Sequence, residues 1–266
     1  MTTKPFIRRP GGKTRLLSQL LPLIRPHTIF VEAFAGGAAL TLAKEPSKVE
    51  VINDIDRELV NLYRHAQFHL DALVAEVEWT LNSRADLEVL IEQPGLTGLQ
   101  QAARYLLRNR LSFGGGGSSF AVSKAQAQPS RAAVLEKLRA FNERLDKVAV
   151  ECLSYERLLK NYDSPGTLWF FDPPYTVGEV DVYEAWDGER MAAFAGAVAE
   201  LQGDWIVTVN DAPENRALFR GHEIRPVVTP SGTVNRRNRP AATFGELIIR
   251  RRVKRSSARG ALPLAA

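Results

Sequence analysis

The sequence predicts a mostly parallel α/β sheet of Rossmann type, closed by an antiparallel hairpin and interrupted by a helical insert. Three observations lead there. Short apolar runs alternate with helical patterns toward both ends of the chain. The stretch from Arg57 to about Val148 breaks that alternation, with helical patterns and no convincing strand. Two strand patterns then close the chain with no helix between them. At 266 residues there is length for one large domain or two small ones.

Taken in order, Thr28 to Phe34 reads as the first strand. Ala35-Gly36-Gly37 is a tight turn, and Ala38 to Ala43 starts a helix. Val49 to Ile52 is the second strand, closed by Asn53-Asp54-Ile55-Asp56, which completes a βαβ opening. Asp56 immediately precedes a helical pattern and is the better cap candidate. Helical patterns follow at Leu59 to Trp79, Leu99 to Asn109 and Arg131 to Leu145, punctuated by Pro94-Gly95 and the run Gly114 to Gly117. That run is either a flexible linker or a loop that approaches another backbone closely. Thr167 to Phe171 is a buried strand, and a helix around Glu189 to Leu201 leads to another at Trp205 to Val209. Glu223 to Thr229 and Phe244 to Ile249 form the terminal hairpin. The expected domains are residues 1–60 with 150–252, a helical insert at 61–149, and a basic, disordered tail at 253–266.

The formal net charge of +5 suits a polyanionic partner. The last segment gathers Arg225, Arg236, Arg237, Arg239, Arg250, Arg251, Arg252, Lys254, Arg255 and Arg259. Arg236, Arg237 and Arg239 lie between Gly232 and Pro240, so they read as a loop tip suited to phosphates. The single cysteine, Cys152, excludes an intrachain disulfide and a zinc ribbon, and reads as a buried structural thiol in a reducing compartment. No apolar stretch approaches a membrane span and no signal-peptide core is visible, so a cytoplasmic location is expected. His65 and His69 share a helical face without a third ligand, which reads as a solvated face and no metal site. No Ser-His-Asp or Cys-His set is visible.

Chemistry concentrates at Asp172-Pro173-Pro174-Tyr175, directly after the Thr167–Phe171 strand. In an open α/β sheet, ligands bind outside the carboxyl ends of the strands. The tetrapeptide suits a planar heterocycle with an exocyclic amine. Asp172 accepts one N–H, the Pro173 carbonyl accepts the other, and Tyr175 offers a stacking face. Pro173 and Pro174 stiffen the turn. The Gly36 turn lets a ligand approach a helix N-terminus, and Asp54 stands where an acid hydrogen-bonds ribose hydroxyls. Gly11-Gly12-Lys13-Thr14 imitates the end of a phosphate-binding loop. It lacks the glycine where Ile7 stands and a preceding strand, which excludes ATP binding. Lys13 in that turn is placed to pair with a ligand carboxylate. Arg104, Arg108, Asn109, Arg110, Ser112 and Phe113 cluster before the glycine run, and Arg and Asn make bidentate base contacts.

The motifs in this order resemble the Dam-type DNA adenine methyltransferases. They are Gly-Gly-Lys, Phe30-Val31-Glu32-Ala33-Phe34-Ala35-Gly36-Gly37, Asn53-Asp54-Ile55-Asp56, the helical insert with Arg104 to Asn109, and Asp172-Pro173-Pro174-Tyr175. The resemblance runs from about Lys4 to Ile249. It implies S-adenosylmethionine as cofactor, contacted by Arg9, Lys13, Glu32, Phe34, Gly36, Asp54 and Asp172. It implies a flipped adenine held by Asp172, Pro173 and Tyr175, double-stranded DNA as partner, and the insert as the recognition domain. A cognate restriction endonuclease acting separately is a partner compatible with that family. Arg9, Ala33 and Ala38 depart from its usual aromatic, proline and glycine, which bears on cofactor binding. Two alternatives stay open. Guanine-N2 methyltransferases of ribosomal RNA also carry a strand ending in Asp-Pro-Pro-Tyr, but lack the Gly-Gly-Lys entry and the long insert. An inactive DNA-binding relative is the other.

Overall fold

The computed structural model describes residues 4–9, 11–80, 83–93, 95–112, 115, 120, 130–174, 186–230 and 243–252. Seven strands form one sheet: β1 (Ile29–Glu32), β2 (Val49–Asn53), β3 (Val148–Glu151), β4 (Thr167–Phe171), β5 (Asp204–Asn210), β6 (Glu223–Pro230) and β7 (Thr243–Arg250). Their order is β3-β2-β1-β4-β5-β7-β6. The first five are mutually parallel, and β7 runs antiparallel between β5 and β6. The expected parallel sheet with an antiparallel terminal hairpin is the observed one. The chain moves from β1 outward to β2 and β3, then returns to add β4 on the other side. That reversal makes the gap between β1 and β4 the topological switch point, where open α/β sheets take their ligands.

Alternate residues divide between the two faces because the side-chain period of a strand is two. Val31, Val51, Trp169, Phe171, Trp205 and Val207 pack on one face under α8 (Tyr155–Tyr162) and α9 (Gly188–Ala199). Phe30, Leu168, Phe170, Ile206 and Ile248 pack on the other, under the N-terminal turns and α1 (Leu17–Leu20), with Leu40 of α2 (Ala39–Ala43). Burial on both faces explains why β4 reads as the unbroken apolar run Thr-Leu-Trp-Phe-Phe.

The insert between β2 and β3 comprises α3 (Arg57–Phe68), α4 (Leu70–Glu78), α5 (Arg84–Glu92), α6 (Gly98–Leu111) and α7 (Arg131–Leu145). Asp56 caps α3 as expected, accepting from the Glu58 and Leu59 amides. The expected boundaries at 61 and 149 fall inside α3 and β3. The physical reason is a shared core: Leu59, Leu62, Leu106, Leu138 and Phe141 of the insert pack with Phe6, Ile7, Ile52 and Val148. The single helical pattern at Leu59 to Trp79 is two helices, broken at His69, whose φ of −133° is not helical. β3 was not anticipated. Its four residues follow α7 after only Asp146 and Lys147, too short a run to show alternation.

Asn53 ties the carboxyl ends of three strands together. Its amide donates to the Ala33 carbonyl (2.9 Å) and the Leu153 carbonyl (3.1 Å), and its oxygen accepts from the Leu153 amide (2.8 Å). Cys152, in the same corner, is half-buried rather than buried, because it directly follows β3, an edge strand among the described residues. Burial still pushes its thiol up. No helix among the described residues is long and apolar enough to cross a membrane.

Candidate active site

Glu32, Asp54 and Asp172 stand at or just past the carboxyl ends of β1, β2 and β4, flanking the switch point. After β1 the chain turns through Ala35, Gly36 and Gly37 into α2. Gly36 has a φ of +49°. Its amide donates to Asp54 Oδ2 (2.9 Å), and its carbonyl accepts from the Tyr63 hydroxyl of α3. Asp54 Oδ1 accepts from the Asp56 amide (2.9 Å). Burial pushes the Asp54 carboxyl up, opposed by these two amides and by Arg9. Ala38 ends the turn with a φ of 53°, a left-handed conformation that costs an L-residue about 1–2 kcal/mol relative to glycine. The sequence thus keeps a glycine-type backbone at a position without glycine.

Glu32 is buried and accepts from the Leu40 amide (3.4 Å), the Thr41 amide (2.8 Å) and the Thr41 hydroxyl (2.5 Å). It ties the start of α2 to the end of β1. Burial pushes its carboxyl up to about 7, and the neighbouring Asp172 adds to that. Phe34 is half-buried in an aromatic cluster, with ring centroids 5.5 Å from Trp186 and 6.0 Å from Phe194. Arg9 lies over the Gly36 turn. Its guanidinium pairs with Asp56 and with the Tyr105 hydroxyl of α6, linking the N-terminal segment to the insert.

Asp172 is the centre of the arrangement. The buried Lys13 ammonium lies 2.7 Å from its Oδ1, and the Thr208 hydroxyl donates to the same oxygen at 2.8 Å. Lys13 also donates to the Gly11 carbonyl (2.7 Å) and lies 3.8 Å from Glu246 of β7. The sequence pairs Lys13 with a ligand carboxylate; the structure places it against Asp172, a carboxylate of the chain itself. Burial pushes the Asp172 carboxyl up, and Lys13 and Thr208 pull it back. Pro173 is buried and Pro174 half-buried. Tyr175, Phe113, Arg236, Arg237 and Arg239 lie outside the described residues.

The cluster on α6 divides in two. Arg104 and Arg108 are half-buried; Arg104 donates to the Gln93 carbonyl and Arg108 pairs with Glu58 at 3.0 Å. Asn109, Arg110 and Ser112 are buried. Asn109 clamps the N-terminal segment, accepting from the Arg8 amide (2.9 Å) and donating to the carbonyls of Arg8 (2.6 Å) and Gly115 (3.0 Å). A Cβ at Gly115 would lie 2.4 Å from the Arg8 carbonyl oxygen, so the close backbone approach explains the glycine at that position.

The His65 and His69 rings lie with centroids 5.4 Å apart, tilted by 44°. No group of three metal-ligating side chains occurs among the described residues. Sequence reasoning missed Thr208 and Glu246. Their signal was a polar residue inside the strand patterns Trp205 to Val209 and Phe244 to Ile249, where burial demands a partner.

A seven-stranded sheet with carboxylates around its switch point is an open α/β sheet with a ligand site at its carboxyl edge. A family profile described as D12 class N6 adenine-specific DNA methyltransferase matches residues 10–199, well over half of the chain. The chain belongs to that family, whose methyl donor is S-adenosylmethionine. A type II methyltransferase of Lactococcus lactis subsp. cremoris is 27% identical over 190 residues, covering 65% of this chain and 66% of that protein. Just under two thirds of that relative's length is spanned. A type II methyltransferase of Methanocaldococcus jannaschii is 24% identical over 205 residues, covering 66% and 70%. Among solved structures, a methyltransferase from Geobacter sulfurreducens aligns over 92% of this chain and 80% of its own, with 13% identity and a TM-score of 0.40.

Proposed function

We propose that this protein transfers a methyl group from S-adenosylmethionine to the exocyclic amine of adenine in a short sequence of duplex DNA, with the base flipped from the helix. The observation that carries the reading is Asp172, held by Lys13 and Thr208 beside the switch point, with Pro173 next to it.

The residues around the Gly36 turn fit the cofactor. Among the described residues a Cβ at Gly36 would meet only the Arg9 side chain, at 4.0 Å, so that side of the turn has space. Asp54 already accepts one amide on each oxygen, and each oxygen keeps a lone pair for a ligand hydroxyl. Gly36, Phe34 and Asp54 would hold the bound cofactor, with Glu32 fixing the turn they belong to. When bound, the sulfonium supplies an activated methyl group, so no metal is required.

The chain's own residues supply position and charge. The adenine amine is a poor nucleophile because its lone pair is delocalised into the ring. Asp172 and the Pro173 carbonyl each accept an N–H, which draws the nitrogen toward a pyramidal geometry with its lone pair free. Flipping costs a few kcal/mol, and stacking on Tyr175 returns roughly 1–3 kcal/mol. Arg104 and Arg108 on α6, with Phe113 and the basic loop Arg236, Arg237 and Arg239, are the proposed DNA contacts. The burial of Asn109, Arg110 and Ser112 suits them to shaping α6 rather than to touching bases. The names of the type II relatives support a restriction endonuclease of the same specificity as a separate partner. A single cysteine supports a reducing, cytoplasmic setting.

Asp172 must be ionised to accept the amine. Against burial, which pushes its pKa up, Lys13 on the entry turn and the Thr208 hydroxyl on β5 pull it down, while the Glu32 carboxyl on β1 is pushed up by burial and by Asp172, and Glu246 on β7 shares the same lysine. Removing the cation raises the Asp172 pKa, so Lys13→Met is expected to move the acid limb of the pH–rate profile to higher pH. Single-turnover rates measured across pH check this; an unmoved limb would show that Lys13 does not tune Asp172.

The reading is tested by expression in a host lacking adenine methylation, followed by single-molecule sequencing of its DNA. Methyladenine confined to one short motif is the expected result. Unmodified DNA with folded protein present overturns it.

A further inference from the structure

Asp172 has two oxygens, and the protein treats them differently. Oδ1 receives both Lys13 (2.7 Å) and the Thr208 hydroxyl (2.8 Å). Among the described residues Oδ2 receives neither. A hydroxyl has one proton to give, and Thr208 has two acceptors in reach: Asp172 Oδ1 at 2.8 Å and the Phe171 carbonyl at 3.4 Å. The shorter contact, to the charged oxygen, takes the proton. Thr208 is fully buried in β5, next to β4 in the sheet, so it is a rigid post for the first residue beyond β4. Lys13 is anchored in turn by the Gly11 carbonyl and Glu246.

We propose that Thr208 is a positioning residue for methyl transfer: with Lys13 it saturates Asp172 Oδ1, fixes the carboxylate plane, and leaves Oδ2 as the acceptor of the adenine amine. This rests on the functional reading above. Thr208 touches no reacting atom and acts only through Asp172. Its effect therefore belongs in the rate of the bound complex and not in the affinity for either ligand. A carboxylate free to rotate about its Cβ–Cγ bond would spend much of its time misaligned, and misplacement on the ångström scale costs on the order of a hundred-fold in rate.

The test compares Thr208→Val, which keeps the shape and removes the hydroxyl, with Thr208→Ser, which restores it. Single-turnover methylation of adenine-containing duplex, S-adenosylmethionine and DNA affinities, and thermal midpoints are measured for each. Thr208→Val is expected to lose about ten- to a hundred-fold in rate with both affinities within about two-fold of wild type. Thr208→Ser is expected to recover most of the rate. A wild-type rate in Thr208→Val overturns the proposal. Equal losses in both variants that follow the thermal midpoint overturn it as well, since they mark a packing role. Wild-type protein that methylates no adenine overturns the functional reading, and the proposal with it.

Discussion

Asp172→Ala is expected to lose nearly all methyl transfer while DNA binding survives. In the proposed mechanism the substitution removes one of two acceptors for the adenine amine, and the only one carrying charge. Losing a single preorganised electrostatic contact typically costs about 10²–10³-fold in rate. The loss here belongs at or above the top of that range, because the remaining acceptor, the Pro173 carbonyl, is uncharged. DNA affinity comes mostly from cations on phosphates, which Asp172 does not touch. The variant also takes from the buried Lys13 its carboxylate at 2.7 Å, while Glu246 at 3.8 Å and the Gly11 carbonyl stay beside it. Asp172→Asn keeps the volume and an acceptor oxygen, and separates lost chemistry from lost stability. Single-turnover methylation, an electrophoretic binding assay and thermal melting read the three quantities. Retained turnover in Asp172→Ala would sink the assignment of this site.

How far the sequence discloses this arrangement depends on the range of the interaction. β1, β2, β4 and β5 were legible because each is a compact apolar run flanked by turn residues. α7 was legible to the residue, since Leu135, Leu138, Phe141 and Leu145 keep the helical period on one buried face. β3 was not, because four edge residues carry too little pattern. Nor was the division of labour on α6. Arg104 and Asn109 read alike as base-contacting residues, yet only tertiary packing decides that Asn109 turns inward to the Arg8 backbone. Lys13 and Asp172 were each singled out for chemistry, but no local rule joins residues 159 positions apart. Thr208 and Glu246 carried a signal, a polar residue in a buried strand, that names a need for a partner without naming the partner.

Glu50→Ala is expected to produce the largest loss of stability among these changes while sparing the reaction at low temperature. Glu50 on β2 is 4% exposed and holds two cations. Lys44, at the end of α2, lies 2.5 Å from Oε1. Arg144 of α7 makes a bidentate pair at 2.6 and 2.9 Å and also donates to the Thr41 carbonyl at 2.7 Å. The carboxylate therefore pins the last helix of the insert to the sheet. Breaking a buried pair by deleting one partner costs about 3–5 kcal/mol, because the orphaned charges stay buried. At about 2–4 °C per kcal/mol for a chain approaching this size, the thermal midpoint should fall by roughly 10 °C. The pH dependence identifies the cause. Burial pushes the Glu50 carboxyl up, but the hydrogen bonds and charges of Arg144 and Lys44 outweigh it and hold it below the ordinary glutamate range. A depressed carboxyl contributes stability above its unfolded pKa and loses it as pH falls through its folded value. The gap between wild type and Glu50→Ala should therefore be widest near neutrality and narrow in acid, which denaturant melts across pH would show. A gap independent of pH would mean that lost packing, not the ion network, accounts for the effect. Glu50 lies roughly 13 Å down the strand from Asp54, at about 3.3 Å per residue, so methyl transfer below the melting range should stay near the wild-type rate.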